Sequence, residues 1–268
     1  MNERAYSPHF IRAMILAAGL GTRFKPWTDR HPKALAPVNG KSLLQRNIEY
    51  LRQYGIEEVV VNVHHFAGQI IEALRENNGW GCRYWISDET AEALETGGGL
   101  KKARPFLERS PFVLMNVDIL TDLDLSAMIA DHFRNRPLAT LAVTDRVTSR
   151  YFLFDDRNEL CGWRNTLTGQ ERMVRPAGGS LVGSGPEGST AVGSGSAGAG
   201  PAQKAFSGIH VIDPAIFSLM TRDGKFSMVD LYLDLAADHP IRAHDHSQSR
   251  LIDVGKPESV QQAEVLFP

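Results

Sequence analysis

The chain has 268 residues, 43% of them hydrophobic, enough for one large domain or two small ones with a proper core. A formal charge of -2 gives no global basic field, so non-specific attraction to nucleic acid is not the expected mode of action, and any phosphorylated substrate has to be held by local cations. No apolar stretch is long enough to span a bilayer, residues 1-12 lack the apolar middle of a signal peptide, and Cys82 and Cys161 sit in neither CxxC nor metal-ligand spacing. The expectation is a cytoplasmic protein with no membrane or nucleic-acid partner, two reduced thiols and an N-terminal extension over 1-12.

The first element is a short apolar strand, Met14 to Ala18, that runs directly into Gly19-Leu20-Gly21-Thr22-Arg23. Glycines let backbone N–H groups close on a phosphate, and an arginine adds a planar fork of donors matched to its oxygens. Lys33, after Pro32, supplies a second cation, so this stretch is a candidate triphosphate site. A helix is predicted from Ser42 to Tyr54 by the spacing of Leu44, Ile48 and Leu51 and by the stop at Gly55. Val59 to Val63 reads as a strand buried on both faces, Ile70, Ile71 and Leu74 mark a second helix, and Arg83 to Ser87 a further strand. The alternation predicts an α/β fold with a parallel sheet and ligands beyond the carboxyl ends of its strands.

Gly97-Gly98-Gly99 follows Glu95-Thr96, just before a helical run at Leu100 to Ala103. Close approach of a ligand to a helix N-terminus and a plain connecting loop explain this stretch equally well. Phe112 to Val117 is a strand that delivers Asp118 at its carboxyl end, a position suited to holding Mg2+ against phosphate oxygens, while Asp122 and Asp124 are expected to cap a helix over Leu125 to Phe133. After the strand Leu138 to Thr144, Tyr151 to Phe154 and Leu160 to Trp163 form a predicted β-hairpin around a turn at Asp155 to Asn158. The Gly/Ser-rich tract over 176-203 has almost no charge or apolar periodicity and is expected to be a disordered insertion. A strand from Phe206 to Ile212 resumes the fold, with Ser207 and Gly208 leaving room for a ligand. Helices follow Pro214 and span Met228 to Ala237; Ile241 to His244 and Leu251 to Val254 are expected to close the sheet, with Asp253 at a strand end and a last helix from Pro257. His64, His65, His244 and His246 lack any metal-site context, and Trp80, Trp85 and Trp163 are expected to pack, Trp163 with some access to a ligand from the hairpin.

Leu16-Ala17-Ala18-Gly19-Leu20-Gly21-Thr22-Arg23, Pro32-Lys33-Ala34-Leu35, Glu95-Thr96-Gly97-Gly98, Asn116-Val117-Asp118, Phe206-Ser207-Gly208-Ile209 and Asp253-Val254-Gly255 together resemble the signature of the sugar-1-phosphate nucleotidylyltransferases. Within that family the chain looks most similar to the small bacterial N-acetylmuramate-1-phosphate uridylyltransferases and the mannose-1-phosphate guanylyltransferase-like branch. The resemblance implies a Rossmann-like three-layer α/β/α domain over 1-268 that joins an NTP, UTP first, to a sugar 1-phosphate with Mg2+ as cofactor. It assigns Ala17, Ala18, Gly19, Gly21, Thr22 and Arg23 to the triphosphate and Gly97 and Gly98 to the base or ribose. Arg23 and Lys33 become the catalytic cations, Asp118 and Asp253 the metal ligands, and Glu95, Ser207 and Gly208 the sugar pocket. It also implies a monomer or small homo-oligomer. The family's Glu-Lys-Pro lysine is missing between Leu160 and Ala205, where Arg164, Arg172, Arg175 or Lys204 are the substitutes to consider, and Val117 stands where glycine is commoner. A CTP-dependent phosphocholine-type cytidylyltransferase and a non-catalytic nucleotide-sugar sensor are the alternatives on the same scaffold.

Overall fold

The computed structural model describes residues 11–175 and 200–268. In chain order the elements are β1 (Arg12–Leu16), β2 (Pro37–Val38), β3 (Lys41–Ser42), α1 (Leu43–Gln53), β4 (Glu58–Val63), α2 (Ala67–Glu76), β5 (Arg83–Asp88) and α3 (Glu95–Leu107). There follow β6 (Phe112–Asn116), β7 (Ile119–Thr121), α4 (Leu125–Asn135), β8 (Ala139–Thr144), β9 (Arg150–Phe154), β10 (Leu160–Asn165) and β11 (Glu171–Met173). The chain ends with β12 (Ala202–Ile212), α5 (Ile216–Leu219), α6 (Met228–Leu235), β13 (Ile241–Asp245), β14 (Leu251–Asp253) and α7 (Glu258–Leu266).

The main sheet runs β11-β10-β9-β12-β6-β1-β4-β5, with β8 on β12 and β13 beside β8. Its centre, β6-β1-β4-β5, is parallel: Ala13 lies opposite both Val59 and Val113. The hairpin half, β9 to β12, is antiparallel.

Alternation along the central strands makes three layers. Ala13 and Ile15 of β1 face one core with Val59 and Val61, and that core is completed by Leu44, Ile48 and Leu51 of α1 and Ile70 and Leu74 of α2. Met14 and Val60 face the other side, against Leu100, Ala103 and Leu107 of α3 and Leu231 and Tyr232 of α6. Each such aliphatic side chain, withdrawn from water, contributes about 1.5–3 kcal/mol, which is why the strands read as nearly unbroken apolar runs.

Ser42 caps α1, its Oγ accepting from Gln45 N at 3.1 Å, and Asp124 caps α4 through Ala127 N at 3.1 Å. Asp122 does not cap: its carboxylate takes the N–H and Nε of Arg250, both at 2.7 Å. Other expectations shift as well. β1 ends at Leu16, and α3 begins at Glu95, so the triple glycine lies inside the helix rather than ahead of it. Ile71 is exposed on α2. β14 leaves the main sheet and pairs antiparallel with β7, Asp253 opposite Ile119. Of the expected extension over 1-12 and the tract over 176-203, residues 1–10 and 176–199 lie outside the described residues, whereas Arg12 opens β1 and Ala202 and Gln203 open β12. Both cysteines are free and buried, and burial raises each thiol to about 11. Among the described residues no helix is long and apolar enough to cross a membrane.

Candidate active site

A cleft of about 440 Å³ opens at the carboxyl ends of β1, β4 and β6. It is lined by the Ala17 to Arg23 loop, Lys33, Asn62, Glu89, Glu95, Thr96, Asn116, Asp118, Lys225 and Gly255.

The loop is held from below. Thr28 Oγ1 and Phe24 N donate to Gly21 O at 2.9 and 2.7 Å, and Phe24 is buried. Gly21 has φ +61, and a Cβ there would sit 2.9 Å from Thr28 Cγ2 and 3.1 Å from Lys33 Cβ. Only glycine combines that backbone with that crowding. At Gly19 an added Cβ meets nothing within 4 Å, so the space above the loop is open to a ligand.

Asp118 and Asp253 meet because of the turn between β6 and β7. Asn47 Nδ2 donates to Val117 O at 2.7 Å and Val254 N to Asp118 O at 2.8 Å, which staples β14 beside that turn. Lys33, almost wholly buried, donates from Nζ to Asp118 Oδ2 at 2.6 Å. A Cβ on Gly255 would lie 2.9 Å from Asp253 Oδ1 and 3.3 Å from Arg23 Nη2, so that carboxylate and that guanidinium reach the same small space. Asp253 is open to solvent on one side, yet desolvation on its inner side and the neighbouring Asp118 charge raise its carboxyl above the ordinary range, against the opposing pull of Lys33 and Arg23. Two carboxylates held this close are a donor set that fits a hard divalent cation, since Mg2+ commonly takes one or two protein carboxylates and fills its other positions with phosphate oxygens and water. Among the described residues no group of three or more His, Cys, Asp or Glu converges on a metal position.

Asn62, Glu89 and Lys225 line the cleft without having been anticipated, and the first two are linked. Asn62 Oδ1 accepts from Ala17 N at 2.7 Å, and its Nδ2 donates to Glu89 Oε1 at 2.8 Å; Glu89 Oε2 accepts from Leu94 N at 3.1 Å. This buried chain ties the start of the phosphate loop to the start of α3. The signal was the single polar residue in Val59-Val60-Val61-Asn62-Val63, because a buried amide inside such a run needs partners on both its ends.

Gly97 and Gly98 do not line the cleft. A Cβ on Gly97 would meet the Phe226 ring at 2.4 Å, and one on Gly98 would meet Gly224 O at 2.2 Å. Their N–H groups donate to Phe226 O at 2.9 and 3.2 Å. The close approach that these glycines permit is made by the segment before α6, while their neighbours Glu95 and Thr96 face the cleft.

Ser207 and Gly208 are also set back from the cleft. Ser207 is fully buried, its Oγ 2.8 Å from His246 Nε2. Gly208, at φ +76, packs against Asn116, whose Nδ2 would be 2.8 Å from an added Cβ, so both residues support the wall rather than form it. Glu95 and Thr96 do line the cleft. Of the four cations considered as substitutes for the missing lysine, none lines it. Arg164 pairs with Glu171, Arg172 with Asp234, Arg175 with Asp155 and Glu159, and Lys204 with Asp145 and Asp245. Trp163 is half-buried against the α3–α6 core.

A sheet with a parallel centre, a glycine loop and Asp118 just beyond its strand ends, and Arg23 and Lys33 beside them, is a Rossmann-like arrangement of the kind that binds nucleotides. Residues 12–152 match the nucleotidyl transferase family, and the chain belongs to it. It is 43% identical over 117 residues to an N-acetylmuramate alpha-1-phosphate uridylyltransferase of Neisseria meningitidis, a match that covers 44% of this chain and 51% of that one. It is 36% identical over 118 residues to a D-glycero-alpha-D-manno-heptose 1-phosphate guanylyltransferase of Campylobacter jejuni, covering 44% and 52% respectively. The chain thus spans about half the length of the curated relatives it matches. The fold is also that of the crystal structure of HddC from Yersinia pseudotuberculosis complexed with GMP-PN, with a TM-score of 0.70 at 22% identity over 96% of this chain and 100% of that one.

Proposed function

We propose that the protein joins an NTP and a sugar 1-phosphate into an NDP-sugar and pyrophosphate, with UTP as the nucleotide. The observation that carries this is the convergence of Arg23, Lys33 and Asp118 on one open cleft beside the Gly19 loop, with Asp253 next to it behind Gly255 and within the influence of the Arg23, Lys33 and Asp118 charges. In the reaction a phosphate oxygen of the sugar forms a bond to the α-phosphorus while the bond from that phosphorus to the bridging oxygen breaks, and pyrophosphate leaves with the electron pair. The nucleophile is already anionic at neutral pH, so no general base is required and the protein's work is positioning and charge neutralisation.

The loop N–H groups and Arg23 hold the triphosphate. Lys33, carried on Asp118, sits where charge builds on the transferring group. Asp118 and Asp253 would hold Mg2+, which when bound neutralises phosphate charge and polarises the α-phosphorus. Asn62 and Glu89 keep the loop and the α3 terminus in register. A match to relatives named for uridylyl transfer supports UTP, and the test is a matrix of each NTP against a panel of sugar 1-phosphates with Mg2+, scored by pyrophosphate release. Turnover with UTP above the other nucleotides is expected; silence across the matrix refutes the proposal, and a preference for GTP refutes its choice of base.

A further inference from the structure

Past Asp118, only Lys225 and Gly255 among the described residues contribute to the cleft wall, so the second half of the chain brings a single cation to the site. Lys225 lies in the strap over 220–227 that joins α5 to α6, and the strap is pinned along its length. Lys101 Nζ donates to Met220 O at 3.3 Å, Arg222 O at 2.6 Å and Asp223 Oδ1 at 2.7 Å. Phe226 N donates to Leu94 O at 3.3 Å while Phe226 O takes the Gly97 and Gly98 N–H groups, and Met228 N donates to Thr96 Oγ1 at 2.9 Å. Gly97 and Gly98 of α3 therefore seat the strap, and the seated strap presents Lys225 at the mouth beside Glu95.

The three lining cations differ in what already occupies them. Lys33 is committed to Asp118 at 2.6 Å, and Arg23 shares the space of Asp253. Lys225 Nζ is 3.8 Å from Glu95 Oε1, beyond hydrogen-bond distance, with its side chain more than half exposed. A flexible ammonium on a fixed strap, loosely held by one carboxylate, is suited to a terminal phosphate that arrives as a second substrate.

We propose that Lys225 binds the phosphate of the acceptor, the sugar 1-phosphate, and that Glu95 holds the ammonium at the mouth until that phosphate displaces it. This rests on the nucleotidyl-transfer reading above. The acceptor grip then comes from the segment before α6 and not from β10 to β12, where each of Arg164, Arg172, Arg175 and Lys204 is spent on a carboxylate.

The experiment compares the parent protein with Lys225→Met, Lys225→Arg and Arg146→Ala, using UTP, Mg2+ and whichever sugar 1-phosphate the matrix identifies. Lys225→Met should raise KM for the sugar phosphate by about 10- to 100-fold, the range for losing a charge-assisted hydrogen bond to phosphate. Its UTP affinity, measured by calorimetry without acceptor, should stay within about twofold of the parent value, and Lys225→Arg should recover most of the loss. A parent protein that releases no pyrophosphate removes the underlying reading and this one with it. An active parent with an unchanged acceptor KM in Lys225→Met, with weakened UTP binding in that variant, or with the KM effect in Arg146→Ala instead, overturns the assignment of Lys225 while leaving nucleotidyl transfer in place. Thermal unfolding of each variant separates a lost contact from a lost fold.

Discussion

Mild acid should destabilise this protein through three buried histidines that lie outside the catalytic cleft. His132 packs under α4 with Nδ1 3.0 Å from Thr140 Oγ1, His210 lies in β12 with Nδ1 2.7 Å from Tyr232 Oη, and His246 has Nε2 2.8 Å from Ser207 Oγ. All three are at most 5% exposed. Desolvation disfavours the imidazolium and lowers them from 6.5 to about 4, about 3 and about 4 respectively. Because the folded values lie below the unfolded one, the unfolded chain binds protons that the folded chain refuses. Stability is therefore full above pH 6.5 and falls as the pH drops toward the folded values. At pH 5 each histidine costs about 2 kcal/mol, and the three together about 6 kcal/mol, a large share of a typical folding free energy of about 5–15 kcal/mol. With a urea m-value of about 3 kcal/mol/M, the midpoint should move down by about 2 M between pH 7.5 and pH 5. Urea unfolding followed by circular dichroism at those two pH values measures it. His132→Asn or His210→Phe should each remove roughly a third of the shift, whatever they do to stability at pH 7.5. A midpoint that does not move between pH 7.5 and 5, or a shift that survives both substitutions at full size, refutes the reasoning.

The site makes its own demands. Asp118→Asn keeps the shape of the side chain but removes the charge that holds Lys33, so turnover should fall by about 10²–10³-fold with the circular dichroism spectrum unchanged; Arg23→Ala should do the same through the triphosphate. If both variants keep parental turnover, the chemistry lies elsewhere. Gly98→Ala forces a methyl group to within 2.2 Å of Gly224 O, a backbone atom that cannot rotate away, and should cost about 1–3 kcal/mol in thermal or urea unfolding while unseating the strap. An unaltered melting temperature would show that the strap is not held as described. Chelation of divalent cations should weaken NTP binding more than tenfold by calorimetry, with recovery on adding Mg2+; equal affinity with and without chelator would dismiss the carboxylate pair as a metal site.

What the sequence could reveal depended on whether the cause of a feature was local. The parallel centre of the sheet was legible in Val59 to Val63 and Phe112 to Val117, because burial on both faces leaves no polar alternation to confuse it. The Gly19 to Arg23 loop and Asp118 were legible because strand ends and ligand positions coincide in such sheets. Gly97 and Gly98 were legible as a close approach but not as to its partner, because glycine reports that something comes close, not what. Here a backbone more than a hundred positions later comes close, which no neighbouring residue announces. The packing of Ser207 against His246 and of Gly208 against Asn116 was hidden in the same way. Lys225 was invisible for the opposite reason. A lysine in Arg222-Asp223-Gly224-Lys225 looks like ordinary solvated surface until the strap that carries it is folded onto α3.

Charge counting around the cleft shows why these pieces belong to one device. Three cations, Arg23, Lys33 and Lys225, and three carboxylates, Glu89, Glu95 and Asp118, line the cleft, with Asp253 just behind Gly255, so the lining itself carries no excess of positive charge for a triphosphate. Three of those carboxylates are engaged with protein groups: Glu89 with Asn62 and Leu94 N, Asp118 with Lys33, and Glu95 loosely with Lys225. Asp253 is the one left facing another carboxylate without an ion pair of its own among the described residues, and it is the one whose carboxyl is pushed upward. Mg2+ held by Asp118 and Asp253 would relieve that repulsion and offset part of the charge of the triphosphate it accompanies. The looser Lys225–Glu95 pair is left to be opened by the second phosphate.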